Sequence, residues 1–159
     1  MKHKILQTNF AVLVLLWLLA ANVPLAAAAR CSLHKSAGNY GFTLTGVVIL
    51  PTGAVPIVAV GKAVLDHTGN ATGTESRSVG GGFADETFTG TYTVNPDCTG
   101  SATLNFYESG QLVRTSVLSL IFDDHQREIR MVQKSLQLPT GDFLPVVITV
   151  NAARIDEED

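Results

Sequence analysis

The chain has 159 residues, of which 46% are hydrophobic and only 16% charged, with 14 glycines, 2 cysteines and a net charge of -3. That length holds one domain, with or without a processed segment, and excludes a multidomain enzyme or a TIM barrel. The charge content is too low for a disordered chain, and a net negative chain is not built to grip nucleic-acid phosphates.

The apolar residues are unevenly spread. Lys2, His3 and Lys4 make a short basic start, residues 10–21 are an unbroken apolar run, Pro24 follows, and Ala26 to Ala29 precede Arg30. This is the order of a secretory signal peptide: basic region, short apolar region, small residues at the cleavage point. It divides the chain into a leader, 1–29, and a single domain, 30–159. The apolar run is well short of the roughly 20 residues that span a bilayer. The expected product is therefore secreted or periplasmic, with no membrane attachment once the leader is removed. Arg30 occupies the position where a lipidated Cys31 would need a small residue. Removing the leader takes Lys2 and Lys4 from the 11 basic residues and none of the 14 acidic ones, which leaves a net charge of -5. The run Asp156-Glu157-Glu158-Asp159 reads as a solvated tail.

Cys31 and Cys98 are the only cysteines, and both lie beyond the leader. An even count in an exported chain reads as a disulfide. No Cys-x-x-Cys is present, and His34, three residues from Cys31, is too isolated for a metal pair.

The remainder reads as strands and turns. Residues 40–50 are rich in Val, Ile, Thr and Phe and end at Pro51-Thr52-Gly53. Residues 56–66 end at His67-Thr68-Gly69-Asn70, and 71–79 at Gly80-Gly81-Gly82. Residues 85–94 alternate, with Phe88, Gly90, Tyr92 and Val94 on one face and Thr87, Thr89, Thr91 and Thr93 on the other, the period of a half-buried strand. Asn95-Pro96-Asp97 makes a turn. Residues 99–107 alternate again, with Ala102, Leu104 and Phe106 on one side, and Glu108-Ser109-Gly110 turns the chain. Residues 112–122, 128–138 and 143–154 complete the set, the last two parted by Pro139-Thr140-Gly141-Asp142. Residues 126–138 pass for a helix by composition, but Met131, Val132 and Leu136 do not form a broad stripe, which favours a strand. Eight short-connected strands favour antiparallel up-and-down pairing. Closure into an eight-stranded barrel removes the edges; a β-sandwich would use the same alternation.

The segments Gly69-Asn70-Ala71-Thr72-Gly73-Thr74 and Gly90-Thr91-Tyr92-Thr93-Val94-Asn95-Pro96-Asp97-Cys98-Thr99-Gly100 resemble a group of secreted bacterial proteins of unassigned function, which share a G-N-x-T-G-T turn followed by G-T-Y-T-V-N-x-D-C-T-G. The resemblance covers about residues 66–106. By strand count and general pattern the group is similar in turn to the allene oxide cyclase-like, or calycin-like, barrels. That resemblance implies an eight-stranded barrel with a central cavity and carries over no catalytic residue. The motif itself reads as scaffold: Gly90 and Gly100 leave gaps or mark bends, and the 95–97 turn sets the register of its flanking strands.

Little in the sequence reads as chemistry. His34, His67 and His125 fall in turns or at the domain's start, and none follows a G-x-S-x-G elbow. His125 beside Asp123 and Asp124 reads as a polar turn. Zinc spacing, a P-loop and a dinucleotide fingerprint are absent, so neither a metal nor another cofactor is expected. Asn70-Ala71-Thr72 is a formal glycosylation sequon that reads as a turn. Polar residues within strands carry more interest: Glu75, Arg77, Asn105, Tyr107, Arg114, Arg130 and Lys134. Those facing inward would orient a ligand or hold a proton donor, and Glu75, Arg77, Asn105, Tyr107 and Arg114 are the candidate cavity residues. Parity groups Arg114 with Leu112, Leu118 and Leu120, and Asn105 and Tyr107 with the threonines; which face points inward stays open.

Three functions are compatible with this reading. The first is a non-catalytic barrel that binds a small apolar or amphipathic molecule. The second is a cyclase or isomerase of the allene oxide cyclase-like kind. The third is a surface structural module with a filled core. A cavity lined by Tyr, Asn, Glu or Arg favours the second, one lined by Val, Leu and Phe the first, and a solid interior the third. Oligomeric state is not legible.

Overall fold

The alternating segments pair into one closed sheet. The computed structural model describes residues 31–155; the leader expected over 1–29 and the acidic run 156–159 lie outside the described residues. The strands are β1 (Gly38–Leu50), β2 (Gly53–Leu65), β3 (Asn70–Val79), β4 (Gly82–Val94), β5 (Thr99–Glu108), β6 (Gln111–Asp123), β7 (Glu128–Gln137), β8 (Phe143–Leu144) and β9 (Val146–Arg154). Residues 126–138 contribute a strand, β7, and no helix. The segment expected as one strand over 143–154 is broken at Pro145, which has no N–H to give to a ladder. Its carbonyl still accepts from the Ile49 N–H at 2.8 Å.

Consecutive strands from β1 to β7 pair antiparallel, and β9 pairs on one side with β7 and on the other with β1. The result is an eight-stranded antiparallel up-and-down barrel, with β8 a short outlier on β7. The alternation then divides cleanly. Phe88, Tyr92, Ala102 and Phe106 are buried inside, as are Leu118, Leu120, Ile148 and Val150 from the far wall. The threonines of β4 are exposed outside.

Glycine makes room where large rings cross the interior. Gly73 faces Phe88 in the β3–β4 register, and a Cβ there would collide with the Phe88 ring and the Lys62 carbonyl oxygen. The ring thus fills the volume that a side chain on β3 would take. Gly90 lies too close to the Thr103 carbonyl oxygen of β5 to accept a Cβ, as expected at a sharp bend of a barrel wall.

One end of the barrel is plugged. Ser32 caps a single helical turn, α1 (Leu33–Ser36), accepting from the Lys35 N–H at 3.4 Å. The turn is too short to show an amphipathic stripe, which is why periodicity gave no sign of it. The disulfide Cys31–Cys98, spanning 67 residues, ties it to the β4–β5 turn. A second hold comes from the β6–β7 connection. There Asp124, His125 and Gln126 all have positive φ (43°, 56° and 68°), a conformation that costs non-glycine residues energy and persists only when surrounding contacts impose it. The contacts are visible: the Gln126 side-chain oxygen accepts from the Ser32 N–H and the Ser36 hydroxyl, both at 2.9 Å. The fully buried Tyr40 hydroxyl donates toward the carbonyls of Ser36 (2.9 Å) and Gln126 (2.8 Å) and accepts from Arg154 Nη2 at 3.0 Å.

The two motif segments meet at this same end. Asp66 Oδ1 accepts from the Thr68 N–H and hydroxyl and from the Asn70 N–H, each at 2.8 Å. Its Oδ2 accepts from the Asn70 amide at 2.8 Å. Tyr92 then locks β4 onto this turn, donating its N–H to the Gly69 carbonyl (2.7 Å) and its hydroxyl to the Asp66 carbonyl (2.7 Å). Asp97 repeats the device, accepting from the Thr99 N–H (3.1 Å) and hydroxyl (2.7 Å), and leaves Cys98 at a positive φ of 67° facing its partner. These contacts give the motif's residues a structural role.

Two outcomes follow for stability. Replacing both cysteines by alanine releases a 67-residue loop; chain entropy puts the loss at roughly 4 kcal/mol, read as a lowered urea midpoint. The hydrogen bonds from Asn70 and Thr68 hold the Asp66 carboxyl well below the usual carboxylate range. A depressed folded-state pKa contributes stability above the unfolded value of about 3.9 and loses it as pH falls further. Asp66→Asn is therefore expected to flatten the acid limb of the stability curve below about pH 4, measured by urea unfolding at stepped pH.

Candidate functional site

The interior holds a space of about 70 Å³ open to the centres of water-sized molecules. Its wall is apolar over most of its area. Phe42, Phe88 and Phe106 form a row, with ring centroids 6.1 Å and 5.3 Å apart, and Leu118 and Met131 line the opposite side. Tyr40 and Tyr92 bound it toward the plugged end. Burial, with Tyr40 and Asp66 nearby, pushes the Tyr92 hydroxyl up to about 12, so it stays a neutral hydrogen-bond donor.

Toward the other end, the inward parity of β3, β4 and β6 brings charges together. Glu75 and Glu86 face each other in the β3–β4 register and are both buried. Like charges directly opposite repel, so the pair needs cations. Arg114 reaches from β6 and bridges both, with Nη2 at 2.6 Å from Glu75 Oε1 and Nη1 on Glu86 Oε2. Its guanidinium also lies 3.8 Å from the centre of the Phe106 ring. Arg77, two residues along β3, bonds Glu86 Oε1 and reaches Glu108 Oε2 at 3.6 Å. The four inner groups balance, two carboxylates against two guanidiniums. The two inner carboxylates are shut off from solvent, and exposure rises only past Glu86, to 19% at Arg77 and 46% at Glu108, so the ladder leads from the cavity to solvent.

Glu75 is held asymmetrically. Its Oε1 takes Arg114, while its buried Oε2 has no partner. Burial pushes its carboxyl up, opposed by the charge and hydrogen bond of Arg114. Ser116 and Gln133 add a short polar strip on the wall, with Gln133 donating to the Ser116 hydroxyl at 3.0 Å and to the Ser135 carbonyl at 3.1 Å.

Of the five residues singled out in the sequence, Glu75 and Arg114 line the cavity, and Arg77 joins them through Glu86. Asn105 and Tyr107 share the outer parity of β5. Asn105 accepts there from the Thr115 hydroxyl at 2.8 Å, and Tyr107 borders a surface depression that Glu75 and Glu86 also line. Arg130 is an exposed partner of Asp123 at 2.9 Å, and Lys134 is exposed. His125 is almost fully exposed on its turn. Among the described residues no three His, Cys, Asp or Glu converge as a metal site would require. Glu86 was missed, although it shares the parity of Phe88, Gly90 and Tyr92, because a lone acid beside Asp85 at a strand's start reads as solvated. Ser116 and Gln133 gave no signal of their own.

No protein-family model matches the chain, and no curated protein matches it in sequence. The closed eight-stranded antiparallel fold agrees in general architecture with the calycin-like barrels.

The charge ladder yields a direct test. Arg114→Leu leaves Glu75 without its cation and Glu86 with Arg77 alone. Removing one member of a buried ion pair costs roughly 3–5 kcal/mol, and chemical denaturation should show a loss of that size. Glu108→Gln, at the solvent end, should cost under about 1 kcal/mol.

Proposed function

We propose that this protein is an exported barrel that binds a small apolar or amphipathic molecule in its interior and performs no chemistry on it. The observation that carries the reading is the interior space walled by three phenylalanines, Leu118 and Met131. A filled structural module has no use for such a void, since a cavity costs packing energy with nothing returned. The size argues for a compact occupant. An engineered apolar cavity of ~150 Å³ takes benzene, and this one offers about half that volume. Met131, with its flexible unbranched side chain, is the wall residue best able to yield to a larger guest. Export is supported by the N-terminal pattern and is consistent with the Cys31–Cys98 bridge.

A catalytic reading, an allene oxide cyclase-like isomerase, has one observation in its favour: a buried carboxyl with raised proton affinity beside an apolar space, the setting in which a general acid is tuned. Folding a long flexible substrate calls for a pocket of roughly 300–1,000 Å³, well above the volume here, and the binding reading is preferred.

The experiment is thermal unfolding of the purified protein with and without dissolved xenon, an apolar probe smaller than benzene that also enters apolar cavities, alongside native mass spectrometry for a copurified molecule. A ligand at one hundred times its Kd stabilises by about 2.7 kcal/mol, which raises Tm by several degrees. Ala102→Leu, which fills the cavity wall next to Tyr92, should abolish the shift. The absence of both a shift and a copurified molecule would leave the filled structural module standing.

A further inference from the structure

The unpartnered oxygen of Glu75 indicates what kind of molecule the cavity takes. Glu75 is 4% exposed and lines the cavity, and its Oε2 is buried with no hydrogen-bond partner. Buried carboxylate oxygens are almost always satisfied, and an ionised carboxylate can only accept. The guanidinium nitrogens that reach the cluster are aimed at other oxygens. Arg114 gives Nη2 to the other oxygen of Glu75 and Nη1 to Glu86. Arg77 gives Nε to Glu86, and the Gln133 amide donates to Ser116 and the Ser135 carbonyl. A donor carried by an occupant of the space would satisfy Oε2.

Charge decides between the two donor types. The inner cluster is already neutral, Glu75 and Glu86 against Arg77 and Arg114. An ammonium group would add an uncompensated charge to a low-dielectric site, which is strongly unfavourable. A hydroxyl satisfies Oε2 and leaves the balance intact. The phenylalanine row supplies the surface for the rest of the molecule.

We propose that the barrel interior is a site for a small neutral alcohol, its hydroxyl donating to Glu75 Oε2 and its hydrocarbon body lying along Phe42, Phe88 and Phe106. The inference rests on the interior-binding reading above and adds an anchor and a ligand class to it. Glu75 is then the residue that sets specificity, and Arg114 positions it.

The chain offers a reporter suited to the test. It contains two methionines, Met1 and Met131, and Met131 lines the cavity, so methyl-labelled methionine places an assigned NMR signal on the site. The purified protein is titrated with 1-butanol, with 1-fluorobutane, which matches it in shape but donates no hydrogen bond, and with butylamine. A hydrogen bond to a charged acceptor is worth about tenfold or more in affinity. The expected result is that butanol shifts the Met131 signal with a Kd at least about tenfold lower than fluorobutane, with butylamine weaker than butanol. Glu75→Leu should remove the preference for butanol. Glu75→Gln, nearly isosteric and still able to bond Arg114 through its side-chain oxygen, should reduce it, and keeps the test available if the leucine variant does not fold. Equal affinity for butanol and fluorobutane overturns the anchor while leaving interior binding intact. So does a butanol preference unchanged in both variants. Tighter binding of butylamine overturns the neutral-ligand assignment. Failure of all three probes to move Met131 overturns the interior-binding reading as well.

Discussion

Val146–Arg154 is hydrogen-bonded on both sides, to β1 and to β7, and each of the other seven wall strands likewise has two neighbours. Every other property of the molecule depends on that closure. An open sheet of this composition would present unpaired edges to other chains. A closed one divides the sequence into two populations with different solvents, and it fixes the interior volume by strand number. Eight strands give an interior that side chains nearly fill, so a small imbalance of side-chain volume decides whether a space remains. Here three phenylalanine rings, two tyrosines and facing glycines such as Gly73 set that imbalance.

Closure also explains why the charges are where they are. Glu75 and Glu86 cannot turn outward without inverting the parity of β3 and β4, which would expose Ala71, Phe88 and Tyr92. The sequence instead supplies cations on the same inner parity, Arg77 from the same wall and Arg114 from β6. Such a network is weak evidence for stability, since a well-packed apolar group of similar size often does as well. The two ends of the barrel differ: one is closed by α1, the disulfide and the Tyr40–Gln126–Arg154 contacts, and the other carries the ion pairs toward solvent.

The architecture was legible in the sequence because period-two alternation survives averaging along each strand. The threonine face of β4 and the Ala102, Leu104 and Phe106 face of β5 identify the sheet without tertiary information. The pairing of Cys31 with Cys98 followed from their being the only two. The site was legible only in part. Parity grouped Arg114 with core leucines, but a sequence does not state which face closes inward, and it does not bring β3, β4 and β6 to one point. Glu86 therefore carries no signal in the sequence, and Asn105 and Tyr107 stand out there as much as Glu75 does, although their threonine neighbours share the outer face. The plug was illegible for another reason. Four helical residues and a left-handed turn at 124–126 obey no periodicity; they exist because Ser32, Ser36 and Tyr40 hold Gln126 in place.

The disulfide has a consequence for the order of assembly. Cys98 precedes β5 through β9, so a chain that emerges from its N-terminus can join its two sulfurs while the second half of the wall is still unformed. The local hairpins β1–β2, β2–β3 and β3–β4 form with short loops, whereas β1–β9 must bring Tyr40 to Arg154 across most of the domain, the slow, high-contact-order step. A staple set early leaves the first four strands with their end cap already attached, and the remaining strands close against a preassembled half-wall. Oxidation before closure and oxidation after it would then be kinetically distinct routes to the same barrel.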